Sequence, residues 1–155
     1  MFCFIDIGTK NFCYIICTKE KEQLYIYDFD VIKISKNTID STISFLYSMK
    51  NIDSYYIEKQ VSKNTKCKII ETVIITYCKL KNINFNSVNA KGKNKLLKDG
   101  SQNYYFRKKD IVKTGEKYLE SIIKSDNIKK KITELTKKDD FYDCLLMALT
   151  ELQIN

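Results

Sequence analysis

The stretch Phe2-Cys3-Phe4-Ile5-Asp6-Ile7-Gly8-Thr9-Lys10-Asn11 opens the chain with an apolar, β-rich run that ends in a carboxylate and a glycine. Alternate side chains of a strand share a face, so Phe2, Phe4 and Asp6 point one way and Cys3, Ile5 and Ile7 the other. Two more strands are expected downstream, Phe12–Thr18 and Leu24–Ile34, rich in Phe, Tyr, Ile and Cys. Lys19-Glu20-Lys21-Glu22 reads as the hairpin turn between them. A helix is expected from Thr38 to Lys50, with Ile39, Ile43, Leu46 and Met49 at helical spacing behind a Thr38 cap. A fourth strand, Tyr55–Glu58, places Tyr56 and Glu58 on one face and ends in a second carboxylate. With the first and fourth strands side by side, Asp6 and Glu58 meet at their ends.

The rest of the chain reads mainly as helices. Val61 to Leu80 suits a long helix with Ile70, Val73, Ile74 and Tyr77 on one stripe and Ile69, Ile75 and Cys78 further around. A helix apolar on two sides packs against two things, here the sheet and a second subunit. The competing reading makes the β-branched run Ile69–Tyr77 a strand. A short strand, Phe85–Val88, precedes a basic stretch, Lys91-Gly92-Lys93-Asn94-Lys95. Helices are expected over Lys109–Lys124 and Lys138–Leu152. In the last of these Phe141, Cys144, Leu145, Ala148, Leu149 and Leu152 form a core stripe. At about 100° per residue, Asp140 and Asp143 lie about 60° apart on the flank of that stripe, while Asp139 turns away. Acidic residues there also suit capping and compensation of the helix macrodipole.

The chemistry of these carboxylates points to a cation. Two of them side by side repel and are pushed up in pKa unless a positive charge intervenes. Oxygen ligation by Asp6, Glu58, Asp140 and Asp143, without His or Cys, suits a hard ion, Mg²⁺, with Mn²⁺ as a substitute. Two such ions would support in-line attack of water on a phosphodiester, one activating the water and the other stabilising the leaving 3′ oxygen. No histidine base is then required, and the chain has no histidine.

Composition bounds the partners. The chain has 155 residues, enough for one domain with a respectable core. Pro, His and Trp are absent, and Lys, Asn, Ile and Tyr abound, as an AT-rich gene would dictate. The charge distribution survives that discount. Residues 1–58 hold 6 Lys/Arg against 8 Asp/Glu, and residues 59–155 hold 21 against 11, net charges of −2 and +10. Such asymmetry suggests a basic face for a polyanion, against the plainer reading of a solvated lysine-rich surface. Ser101-Gln102-Asn103-Tyr104-Tyr105-Phe106-Arg107-Lys108-Lys109 mixes aromatics with cations. The aromatics would either stack on opened bases or pack in the core. The six cysteines form no C-x-x-C pair and fall mostly in apolar segments, as expected of buried reduced thiols in an intracellular compartment. Met1-Phe2-Cys3-Phe4 lacks the basic start of a secretory signal, and no apolar run approaches the roughly 20 residues of a membrane span.

Taken in order, FIDIGTKN (Phe4–Asn11), YYIEKQ (Tyr55–Gln60) and KKDDFYD (Lys137–Asp143) resemble the ribonuclease H-like superfamily and, within it, the RuvC-type Holliday junction resolvases. The Lys-Lys-Asp-Asp run before the final helix is similar to the poxvirus branch. The resemblance spans the chain as a single domain, residues 1–155. It implies an α/β ribonuclease H-like fold, a five-stranded mixed sheet flanked by helices. It implies a homodimer, built by the helix after the second acidic residue, that nicks four-way junctions and other branched DNA to leave 5′-phosphate and 3′-hydroxyl ends. Asp6, Glu58, Asp140 and Asp143 would hold metal, and an active-site lysine would be Lys109, with Lys108 close beside it. Lys10, Asn11, Lys59, Gln60, Arg107, Lys108 and Lys109 would contact DNA. The resemblance also implies work on viral replication intermediates in the host cytoplasm, with neither a membrane partner nor a small-molecule cofactor. The chain departs from the family in having a single arginine and no identifiable junction-wedging motif. Three other readings compete: a ribonuclease H acting on RNA–DNA hybrids, a non-catalytic branched-DNA-binding module, and a nucleotide-binding Asp-Ile-Gly-Thr loop. The last would need more glycine loops than four glycines supply.

Overall fold

The computed structural model describes residues 1–34, 37–89, 96–97, 104–123 and 125–154. Its elements run β1 (Phe2–Asp6), β2 (Phe12–Glu20), β3 (Gln23–Ile32), α1 (Thr38–Ser48), β4 (Ser54–Glu58), α2 (Thr65–Lys81), β5 (Asn84–Val88), α3 (Tyr104–Ile122), α4 (Asp126–Thr133) and α5 (Lys138–Glu151). The strands form one mixed sheet in the order β3-β2-β1-β4-β5. β1, β2 and β3 pair antiparallel, whereas β4 runs parallel to both β1 and β5. Gly8 makes the β1–β2 connection possible, since a Cβ there would sit 2.5 Å from the Asn11 carbonyl oxygen. Lys21, with φ of 54°, turns the β2–β3 hairpin.

The period-2 alternation of β1 sorts residues between two cores. Cys3, Ile5 and Ile7 join Phe12, Phe45, Leu46, Ile70 and Ile74 beneath α1 and α2. Phe4 joins Ile15, Phe29, Phe141, Leu145 and Leu149 on the opposite face, beneath α3, α4 and α5. α5 is the central pillar of that second layer. Beyond the expected stripe, Tyr142, Leu146 and Met147 are also buried, so this helix is enclosed nearly all round. Cys144 Sγ donates to the Phe4 carbonyl at 3.3 Å and ties α5 to β1 two residues before Asp6. Lys19 Nζ donates to the Leu152 carbonyl at 2.6 Å and satisfies an orphan group at the C-terminal end of α5.

Several expectations need correction. The α1 face that meets the sheet is Thr42, Phe45 and Leu46, and Ile39 and Ile43 are exposed. Asn37, not Thr38, stands at the N-cap, and its amide donates to Asp40. Residues 61–64 lie ahead of α2, which begins at Thr65 and runs through the apolar stretch Ile69–Tyr77, so the strand alternative fails. α2 buries Cys67, Ile70, Glu71, Ile74 and Cys78, which puts Cys78 on the core face rather than the second one. α3 starts five residues earlier than expected. α4 was not anticipated: it is short and lysine-rich, but Ile128 and Ile132 sit four residues apart on its inner side. All six cysteines are free and buried.

Candidate metal centre

The parallel pairing of β1 and β4 does the first positioning. Ile5 pairs with Ile57, which leaves Asp6 and Glu58 level at the carboxyl ends of neighbouring strands. Ligand sites of α/β sheets gather at such ends. Two residues below them on the same face, the Phe4 and Tyr56 rings stack with centroids 4.5 Å apart and planes 17° from parallel. Phe2 meets Tyr56 edge-on. This aromatic packing fixes the spacing of the two strands directly under the carboxylates.

The N-terminal end of α5 supplies the remaining acids. Asp140 and Asp143 are half-buried, and the charges of both Asp6 and Asp140 act on Cys13, the cross-strand partner of Asp6. Asp6 and Glu58 likewise act together on Cys67, at the start of α2. Asp6 thus stands near Asp140 by way of Cys13 and near Glu58 by way of Cys67, a carboxylate basin at the sheet end. Among the described residues, no three His, Cys, Asp or Glu side chains close on a single point as a finished ligand set.

Asp140 carries the clearest sign of a missing counter-charge. Its Oδ2 is buried and accepts no hydrogen bond, and Oδ1 of Asp143 is buried as well. Leaving a buried acceptor unsatisfied costs about 1–3 kcal/mol. Burial, and then the charges of Asp139 and Asp143, push the Asp140 carboxyl above the ordinary aspartate range, against partial relief from Lys108 and Lys137. Hard oxygen donors with a buried, unused lone pair fit a divalent cation such as Mg²⁺.

Around this basin the basic residues take distinct places. Lys108, on α3, forms an ion pair with Asp139, and its charge reaches Asp140. It lies three residues before buried Ile111, on the inner face of α3, while Lys109 is turned outward and exposed. Both border a shallow groove of about 350 Å³ with Val112, Lys113, Glu116 and Asp139. Lys108 thus brings a positive charge beside Asp139 and towards Asp140. Asp139 does not point elsewhere as expected: it stands about 100° from Asp140 but only about 40° from Asp143 on the helix, its charge acts on Asp140, and Lys108 pairs with it. The Gln60 amide faces inward and donates to the Glu58 main chain at 3.0 Å and to its carboxylate at 3.4 Å. Lys10, Lys59, Arg107 and Phe106 are exposed, and Asn11 is partly so. The basic stretch 91–95, residues 101–103 and the side chains of Tyr104 and Tyr105 lie outside the described residues. Glu71, buried beneath Gln60, was missed. Its only signal in the sequence is a charge four residues after Cys67 and three before Ile74, on the core face of α2.

A five-stranded mixed sheet, helices on both faces and acids from β1, β4 and α5 at one sheet end define the ribonuclease H-like fold class. The model of the family described as "Poxvirus A22 protein" matches residues 1–155, and the chain belongs to that family. Among solved structures, it is similar to the fowlpox virus resolvase in complex with its substrate Holliday junction DNA. That match has a TM-score of 0.79 and 22% identity, and covers 98% of this chain and 96% of the other. The fowlpox virus Holliday junction resolvase in a second crystal structure matches with a TM-score of 0.75, 22% identity and the same coverage. RuvC of Thermus thermophilus matches with a TM-score of 0.64 and 10% identity, over 98% of this chain and 95% of that one. At these identities the likeness establishes the fold. No curated protein matches the chain.

Proposed function

We propose that the chain is a metal-dependent endonuclease that resolves four-way DNA junctions. The observation that carries this reading is the buried, unpaired Asp140 oxygen. It stands beside the sheet end where β1 and β4 deliver Asp6 and Glu58, in a chain whose whole length matches a poxvirus family. Asp6, Glu58, Asp140 and Asp143 would hold Mg²⁺, or Mn²⁺ in its place, and two ions suit this many carboxylates. Bound there, the metal supplies Lewis acidity for hydrolysis of a phosphodiester. The protein's own part is to hold the acids rigidly on two strands and a pillar helix, so that little reorganisation is left for the reaction. Lys108, whose charge reaches Asp140, or its neighbour Lys109 would meet the scissile phosphate, and Lys113 and Arg107 suit flanking phosphates.

Junction resolution needs two sites facing one DNA crossover, and a homodimer supplies them. The α1–α2 face suits that contact. Ile39 and Ile69 are exposed there, beside a groove of about 350 Å³ that Val73 also lines. The family is viral, and no described helix is long and apolar enough to cross a membrane. Together with six buried free thiols, this supports action on branched replication intermediates in the reducing host cytoplasm.

The test is cleavage of an end-labelled immobile four-way junction, a matched duplex and an RNA–DNA hybrid, with Mg²⁺ or with EDTA. Paired symmetric nicks in the junction alone, dependent on Mg²⁺, are expected. Cutting of the hybrid alone would move the function to ribonuclease H. Asp6→Asn and Asp143→Asn should abolish nicking and leave junction binding in a gel shift intact. Loss of binding as well would give these carboxylates a structural role instead.

A further inference from the structure

Away from the carboxylate basin, the least expected polar group is Glu71. It is 2% exposed, and among the described residues it is the only charged side chain buried to that degree. A carboxylate in such surroundings requires compensation. Lys68 provides part of it from one turn earlier in α2, its Nζ lying 2.5 Å from Oε2. The same oxygen accepts the main-chain N–H of Gln60 at 3.3 Å, which links α2 to the segment just after β4. Gln60 then turns its own amide back onto Glu58, donating to the carbonyl at 3.0 Å and to carboxylate Oε2 at 3.4 Å. Between them, Lys59 N–H donates to the Val88 carbonyl at 2.8 Å and extends the β4–β5 ladder past Glu58. The chain after Glu58 is therefore fixed on one side by β5 and on the other by Glu71.

We propose that Glu71 is a positioning residue for the Glu58 carboxylate, acting through Gln60. This rests on the reading of Glu58 as a metal-binding acid. Stability alone does not call for a charge at position 71, because apolar residues of similar volume often replace buried ion pairs at no cost. A glutamate side chain has several rotatable bonds, and an ion that must order them binds more weakly. Fixing Gln60 fixes the donor that selects one Glu58 rotamer before the ion arrives, a role typical of groups behind metal ligands.

The experiment is a Mn²⁺ titration followed by EPR on the full chain, with thermal unfolding in EDTA measured alongside. The variants are Gln60→Ala, Glu71→Leu and Glu71→Gln. Gln60→Ala and Glu71→Leu should each weaken Mn²⁺ binding by about tenfold. Gln60→Ala should melt in EDTA like the wild type. Glu71→Gln keeps an acceptor for the Gln60 N–H and should recover most of the affinity. In cleavage assays, Glu71→Leu should need more Mg²⁺ for half-maximal rate yet regain the rate at saturation. Wild-type affinity in Gln60→Ala, or a lowered melting temperature with wild-type affinity in Glu71→Leu, would overturn the proposal. If Glu71→Leu does not fold, partly exposed Gln60→Ala decides alone. A wild-type chain that takes up no Mn²⁺ would remove the metal reading itself, and the proposal with it.

Discussion

At the scale of single residues, Asp140 is the costly member of the candidate site. Asp140 has an oxygen with no hydrogen bond and acidic neighbours at 139 and 143, and its carboxyl is pushed upward by burial and by those charges. The Asp140→Asn variant should therefore separate stability from function. In EDTA it should melt at or slightly above the wild-type temperature, because one buried charge and its repulsions are gone. The wild type should be stabilised by Mg²⁺, since a ligand that binds only the native state adds RT ln(1 + [L]/Kd). The variant should lose most of that stabilisation and nearly all cleavage. A wild type unmoved by Mg²⁺, or an Asp140→Asn protein that melts several degrees lower in EDTA, would show that Asp140 is held by the protein rather than kept for an ion. Differential scanning fluorimetry with and without Mg²⁺ makes the comparison. The thiols should stay silent throughout. Burial pushes the Cys3, Cys13, Cys17 and Cys67 thiols up, and that of Cys78 to about 11.

At the scale of elements, two helix contacts keep α3, α4 and α5 over the sheet. A Cβ at Gly115 would lie 2.2 Å from the Tyr142 ring, so α3 approaches α5 at the one place where it carries no side chain. Gly115→Ala must push the helices apart. An overpacked contact of this kind costs about 1–3 kcal/mol, and the shift would move Lys108 relative to Asp139. A lowered melting temperature together with reduced cleavage at saturating Mg²⁺ is expected, and a variant indistinguishable from wild type would disprove the tight fit. α4 is held by Lys131, which donates to Asp28 at 2.9 Å and lies over the Phe29 ring, while Tyr14 donates to the other Asp28 oxygen at 2.9 Å. Burial opposes the Asp28 charge, but the bonds from Lys131 and Tyr14 outweigh it and hold the carboxyl below its usual range. A depressed native pKa stabilises the fold above the unfolded value of about 3.9 and is lost as pH falls through the native value. The stability gap between wild type and Asp28→Asn, no more than about 1 kcal/mol at this partly exposed site, should thus be present at pH 7 and close below pH 4. A gap unchanged down to pH 3 would mean that the charge plays no part. These contacts also mark what the sequence could disclose. The alternation of β1 and the stripe of α5 were legible, because period and burial are local patterns, and they led to Asp6, Glu58, Asp140 and Asp143. α4 was not, because three lysines in eight residues hide two inward isoleucines and its anchor is an acid about a hundred residues away. The α1 stripe misled for a related reason: isoleucines at helical spacing identify an apolar face but not which neighbour covers it.

At the scale of the whole molecule, charge and architecture are divided unequally. The first 58 residues, net −2, supply four of the five strands and two of the acids. The remaining 97, net +10, supply α2, β5 and the helices whose cations border the basin. An acidic cluster that must admit a polyanion needs its ions and a basic surround, and Lys108, Lys109, Lys113 and Arg107 on α3 lie on that side. Junction binding should consequently be dominated by phosphate neutralisation and counterion release. With six or more phosphates contacted, affinity should fall on the order of a thousandfold between about 50 and 200 mM salt. Arg107→Ala and Lys109→Ala should each weaken binding to every junction sequence alike and reduce the slope of log K against log[salt] by about one. Fluorescence anisotropy on a labelled junction, with the Asp143→Asn change added to prevent nicking, gives both quantities. A nearly flat salt dependence would mean that base stacking or shape, rather than the basic half of the chain, carries recognition. An unchanged slope in the two variants would shift the phosphate contacts from α3 to other lysines of the same half.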